Sequence, residues 1–85
     1  MKKLVEEVEG EGLVGLLGEE ITVWCDCYIY AGKLIGVNKD TILLDKPKVV
    51  YETGKLDEKG FADAQILPFQ WYVRISKIES FGKTL

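Results

Sequence analysis

The chain has 85 residues, enough for one small domain whose modest core removes roughly 60% of the unfolded chain's surface from water. Apolar residues make up 47% and charged residues 29% of it, a globular composition that excludes a disordered chain. No apolar run approaches the ~20 residues of a membrane span, and the start, Met1-Lys2-Lys3-Leu4-Val5-Glu6-Glu7, turns acidic before a signal-like apolar stretch develops, so no membrane partner and a cytoplasmic location are expected.

The net charge is −3, which argues against nucleic-acid binding by broad phosphate attraction. The distribution matters more than the sum. Residues 1 to 20 carry two Lys and six Glu, a net of −4, so residues 21 to 85 carry +1 and are close to neutral.

Leu4, Val5 and Val8 fall on one helical stripe in residues 3–9, with Glu6, Glu7 and Glu9 elsewhere, which predicts a short amphipathic helix. Gly10 and Gly12 interrupt it. Leu13, Val14, Leu16 and Leu17 suit one further turn ending near Gly18, where glycine accepts a left-handed cap. Residues 1–18 thus read as a helical leader to a single domain spanning 1–85, whose strands are expected over 19–82.

Residues 20–30 alternate strictly and predict one strand, with Ile21, Val23, Cys25, Cys27 and Ile29 toward the core and Thr22, Trp24, Asp26, Tyr28 and Tyr30 on the other face. Three large rings on an outer face need a cover. Either the helix or the long loop packs on them, or another subunit does. Cys25 and Cys27 on one face of a strand are poorly placed for a mutual disulfide. With no His and no third Cys to complete a zinc site, strand packing explains them, and neither a metal nor a cofactor is expected.

Ala31-Gly32 is read as the bend into a second strand, with Leu34 and Val37 inward and Gly36 permitting curvature or close backbone approach. Asn38-Lys39-Asp40 is turn chemistry, and residues 41–45 form a short strand. Pro47 lacks a ladder donor and belongs at an edge or a bulge. Residues 49–51 resume extended structure, and residues 52–68 form one long loop, tacked down by Phe61, Ile66 and Leu67. Residues 69–76 and 77–81 read as the fourth and fifth strands.

The run Gly32, Leu34, Val37, Asn38 and Ile42-Leu43-Leu44, with Val73-Arg74-Ile75-Ser76-Lys77-Ile78 later, resembles the Sm-like family, which includes archaeal and eukaryotic Sm proteins and the bacterial Hfq proteins. The resemblance covers roughly residues 13 to 45 and 70 to 82. It implies a short amino-terminal helix before a strongly bent, five-stranded antiparallel barrel of SH3-like form, assembled edge to edge into a homo-oligomeric ring. A short open barrel leaves two unpaired edges, which such a ring would satisfy.

The resemblance implies a pocket for a base of single-stranded RNA, rich in uridine or adenine, lined by Asn38, Lys39, Asp40 and Arg74 with Ser76 nearby. Lys33, Lys39, Lys46 and Lys48 would supply a basic rim. Four departures stand against it, the first being that the Lys-His pair typical of the bacterial proteins is absent, since the chain has no histidine. Asn38 replaces the usual Asp, Ile75 replaces the glycine after Arg74, and Asp40 stands where an aromatic often stacks. On the residues alone, Asn38 to Asp40 can equally be a plain hairpin turn and Arg74 a strand-edge charge.

Two functions follow: an RNA chaperone or scaffold ring, and a ring that binds other proteins through its aromatic strand, long loop and acidic leader. An enzyme is not expected. The chain has no His, no Ser or Cys nucleophile set beside a base, and no Gly-rich phosphate loop.

Overall fold

The computed structural model describes residues 12–85; the helix expected over residues 3–9 lies outside them. The described chain is mainly β. A helical turn, α1 (Gly12–Gly15), precedes β1 (Glu20–Cys25), β2 (Ile29–Val37), β3 (Thr41–Glu52), β4 (Asp63–Ile66), β5 (Gln70–Arg74) and β6 (Ile78–Lys83), with a single 3-10 turn, Ile75–Lys77, between the last two. No helix among the described residues is long and apolar enough to cross a membrane.

All strands belong to one antiparallel sheet in the order β4-β3-β2-β1-β6, with β5 also paired to β3. The organising element is β3. Its first half, from Thr41 to Asp45, pairs with β5, and its second half, from Lys48 to Glu52, pairs with β4. Residues 41–45 and 49–51 therefore belong to one long strand, and six strands replace the expected five. The reason lies in residues 52–68: Asp63–Ile66 within that expected loop form β4, and Leu67 donates its amide to the Pro47 carbonyl at 2.8 Å.

Pro47 is buried inside β3, accommodated by a bulge. Gly32 alone on β2 faces two residues, Lys46 and Pro47, on β3, and Lys46 takes a left-handed φ of 45°. The missing N–H of Pro47 is harmless at such a point. A Cβ on residue 32 would lie 2.9 Å from the Pro47 Cα, so glycine is required there by contact. A second bulge leaves Ile35 unpaired between Leu34 and Gly36. Each bulge bends its strand and increases the local twist.

The first hairpin departs from expectation. β1 stops at Cys25, the chain reverses over Asp26-Cys27-Tyr28, and β2 already contains Ala31 and Gly32. Because Tyr30 pairs opposite Val23 and Ile29 opposite Trp24, and directly opposed residues share a face, the parity after the turn is inverted. Tyr30 packs against the core, whereas Ile29 joins the Trp24 face.

The main core gathers Ile21, Val23, Leu34, Ile42, Leu44 and Val73. Each such side chain stabilises the fold by about 1.5–3 kcal/mol when taken out of water. Leu13 and Leu16 lie against this cluster, and Gly18, with φ of 87°, ends the helical segment by donating its amide to the Leu34 carbonyl at 2.7 Å. The return bond from Leu34 N–H to the Glu19 carbonyl, 3.0 Å, fixes the leader to β2.

Candidate functional site

The turn between β2 and β3 is built around the Asn38 amide. Its Oδ1 accepts from the Asp40 and Thr41 backbone amides, both at 2.8 Å, and from the Thr41 hydroxyl at 3.3 Å. The Asn38 N–H in turn donates to the Thr41 carbonyl at 2.9 Å. This is the Asx-type turn for which Asn is suited, since its carbonyl oxygen imitates a backbone acceptor.

β5 runs beside the start of β3, with Thr41 opposite Arg74. Just past that pair, the Ile75 amide donates to the Asp40 carbonyl at 2.9 Å. The bond brings the turn and the 3-10 segment side by side. Between them lies a surface groove of about 390 Å³ lined by Lys39, Asp40, Thr41, Arg74, Ile75 and Ser76.

Four of the five residues singled out from the sequence, Lys39, Asp40, Arg74 and Ser76, therefore share one groove. Asn38 is not among its lining residues. It holds the Asp40 and Thr41 backbone of the groove wall through its side-chain oxygen. Lys33, Lys46 and Lys48 are exposed but belong to the bulge around Gly32 and Pro47, so only Lys39 of the expected basic rim reaches the groove. Thr41 was not anticipated; its place opposite Arg74 depends on a pairing between distant segments.

The groove's chemistry is polar and of mixed sign. Lys39 and Arg74 offer N–H donors, Asp40 offers two carboxylate oxygens, and Ser76 a hydroxyl. The ion pairs among the described residues, Lys77 with Asp26 at 3.6 Å and Lys83 with Glu19 at 3.9 Å, do not involve these groups.

On the other side of Arg74 lies a second cleft of about 270 Å³, where Cys25, Tyr28, Tyr30 and Tyr72 meet Arg74 and Lys77. The Tyr28 and Tyr30 rings sit 6.3 Å apart and tilted at 54°, an attractive arrangement for two rings. Burial, reinforced by the carboxylates of Asp26 and Glu79, pushes the Cys25 thiol up from its ordinary value. It stays protonated at neutral pH and is a weak nucleophile and a poor metal ligand in that state. Burial likewise raises the Tyr30 hydroxyl, with smaller contributions from Cys25, Tyr28 and Cys27.

The fold and groove define a one-sheet, mainly β domain with a polar groove where a β-turn meets a 3-10 turn. No protein-family model matches the chain, and a search of curated proteins found no significant relative.

Proposed function

We propose that the chain is an Sm-like protein whose bent sheet closes into a small barrel, whose copies join edge to edge in a homo-oligomeric ring, and whose groove binds single-stranded RNA as a cytoplasmic chaperone or scaffold. The observation that carries this reading is the 2.9 Å bond between the Ile75 amide and the Asp40 carbonyl, because it sets Lys39, Asp40, Arg74 and Ser76 around one opening. Single-stranded RNA exposes base edges and backbone phosphates that such a mixed set of donors and acceptors suits.

The strand order supports the assembly. The described sheet ends at β6 on one side and at β4 and β5 on the other. Both borders carry exposed apolar groups: Phe81 on β6, and Ile66, Trp71 and Tyr72 on β4 and β5. Unpaired, apolar edges favour strand addition by another chain, and a closed ring satisfies both edges at once. Binding rather than catalysis is the role we assign, because the groove pairs cations, a carboxylate and a hydroxyl with no activated nucleophile.

The test is light scattering on the purified protein together with anisotropy of labelled, mixed-sequence single-stranded RNA at 50 and 200 mM salt. A multiple of the 9.6 kDa chain, with RNA affinity that falls with salt and weakens in Arg74→Ala, is expected. A monomer would overturn the ring, and absence of RNA binding would overturn the groove's role.

A second reading, a ring that binds proteins without RNA, is favoured by one observation. Phe69 and Tyr72 are each 68% exposed, which gives the border near β5 more apolar surface than its pairing role needs. Recovery of a protein partner whose binding is lost in Phe69→Ser, with no RNA affinity, would establish it.

A further inference from the structure

The geometry points to Asp40 as the residue that sets base specificity in the groove, selecting guanine and rejecting uracil. The inference rests on the RNA-binding reading and gives it a particular base, guanine in place of the uridine or adenine that the resemblance implies. Three features lead to it, and each concerns which hydrogen-bonding atoms the groove has left to offer.

First, Asn38 is not available as a base reader. An amide that reads uracil must present its oxygen to the N3–H and its amino group to a carbonyl. In this chain the Asn38 oxygen already accepts three bonds inside the turn. Second, the Thr41 hydroxyl donates to that same oxygen, which leaves the Asp40 carboxylate as the strongest acceptor on the groove wall. Third, Asp40 is held at both of its backbone polar groups, its N–H by Asn38 and its carbonyl by Ile75. A carboxylate carried on a fixed backbone costs little to order when a ligand arrives.

A carboxylate accepts and does not donate. Guanine presents two adjacent donors on one edge, N1–H and N2–H₂, which match the two carboxylate oxygens. Its O6 and N7 form the neighbouring edge and suit the guanidinium of Arg74, a frequent partner of those two atoms. Uracil presents a single N3–H between two carbonyl oxygens, whose lone pairs would face the carboxylate. Cytosine and adenine offer one amino donor each and fall between. The same carboxylate explains how a groove with no aromatic on its wall would still discriminate, since edge contacts replace stacking.

The experiment measures anisotropy of three labelled ten-nucleotide RNAs, alternating guanosine and uridine, all cytidine, and all uridine, against the intact chain and its Asp40→Asn variant. Circular dichroism confirms that the variant is folded. The expected result is about tenfold tighter binding of the guanosine-containing RNA than of oligouridine, with the preference lost and oligouridine binding gained in D40N. Equal affinity for all three RNAs, or tighter binding of oligouridine by the intact chain, would overturn the specificity while leaving RNA binding in place. A uniform gain of D40N for every RNA would also overturn it, because removal of a repelling charge would then be the whole effect. Binding of none of the three would remove both the specificity and the RNA-binding reading.

Discussion

The Ile75 amide donates to the Asp40 carbonyl at 2.9 Å, and this bond fastens the turn between β2 and β3 to the end of β5. Asp40 is held from the other side as well, its own amide donating to Asn38 Oδ1 at 2.8 Å. The groove is thus shaped by backbone and by the Asn38 amide oxygen, while Lys39, Asp40, Arg74 and Ser76 supply exposed side chains for contact.

Replacing Asn38 should therefore act on the scaffold before it acts on the ligand. Asn38→Ala removes the acceptor of two backbone amides and is expected to lower unfolding free energy by about 1–2 kcal/mol. Asn38→Asp keeps a side-chain oxygen in the same place and should stay near the parent. Urea unfolding of the two variants separates these outcomes, and equal loss in both would mean that the turn does not depend on this oxygen.

Gly32 and Pro47 provide a second, purely steric test. A methyl group at position 32 would meet the Pro47 Cα at 2.9 Å, whereas one at Gly82 would meet nothing within 4 Å. Gly32→Ala should cost about 1–3 kcal/mol through overpacking. Gly82→Ala should change stability by no more than about 0.5 kcal/mol. Thermal melts of both proteins under one condition give the comparison directly.

Core depth predicts a third contrast. Leu34 is 0% exposed in the centre of the main cluster, and Leu56 is 66% exposed. Leu34→Ala is expected to destabilise by about 2–5 kcal/mol, enough to threaten a domain of this size. Leu56→Ala should leave the urea midpoint almost unchanged.

Alkaline pH should weaken the fold. The thiol of Cys25 is raised above its ordinary 9.0 chiefly by burial and then by Asp26 and Glu79. The hydroxyl of Tyr30 is raised above 10.0, again chiefly by burial. For an acid held protonated in the folded state, the stabilising contribution is complete below the unfolded value and disappears as pH climbs through the folded one. The urea midpoint should accordingly fall from pH 9 upward. Cys25→Ala should flatten the earlier part of that fall and Tyr30→Phe the later part, as titrations of midpoint against pH would reveal.

Much of this molecule was legible from local pattern. The alternation of Ile21 and Val23 and the inward Leu34 identify core positions without any knowledge of partners, because strand parity alone assigns their face. Asn38-Lys39-Asp40 likewise announced a turn, since an Asn side chain closes one with its own oxygen. Gly18 was readable as a left-handed cap and has a φ of 87°.

What the tertiary structure alone decided are the relationships between segments far apart in the chain. Tyr30 reached the core because β1 ended at Cys25 and the hairpin register set it opposite Val23, a reversal that unbroken alternation through residues 20–30 concealed. β4 emerged within an expected loop because the second half of β3 held an unpaired edge for Asp63–Ile66 to join. Asp40 and Arg74 share a groove because β5 pairs with β3 in one register and no other. Side-chain periodicity determines which face a residue takes within its own strand, but register depends on bulges and on hydrogen bonds to another strand, and those exist only once the sheet has assembled around its core.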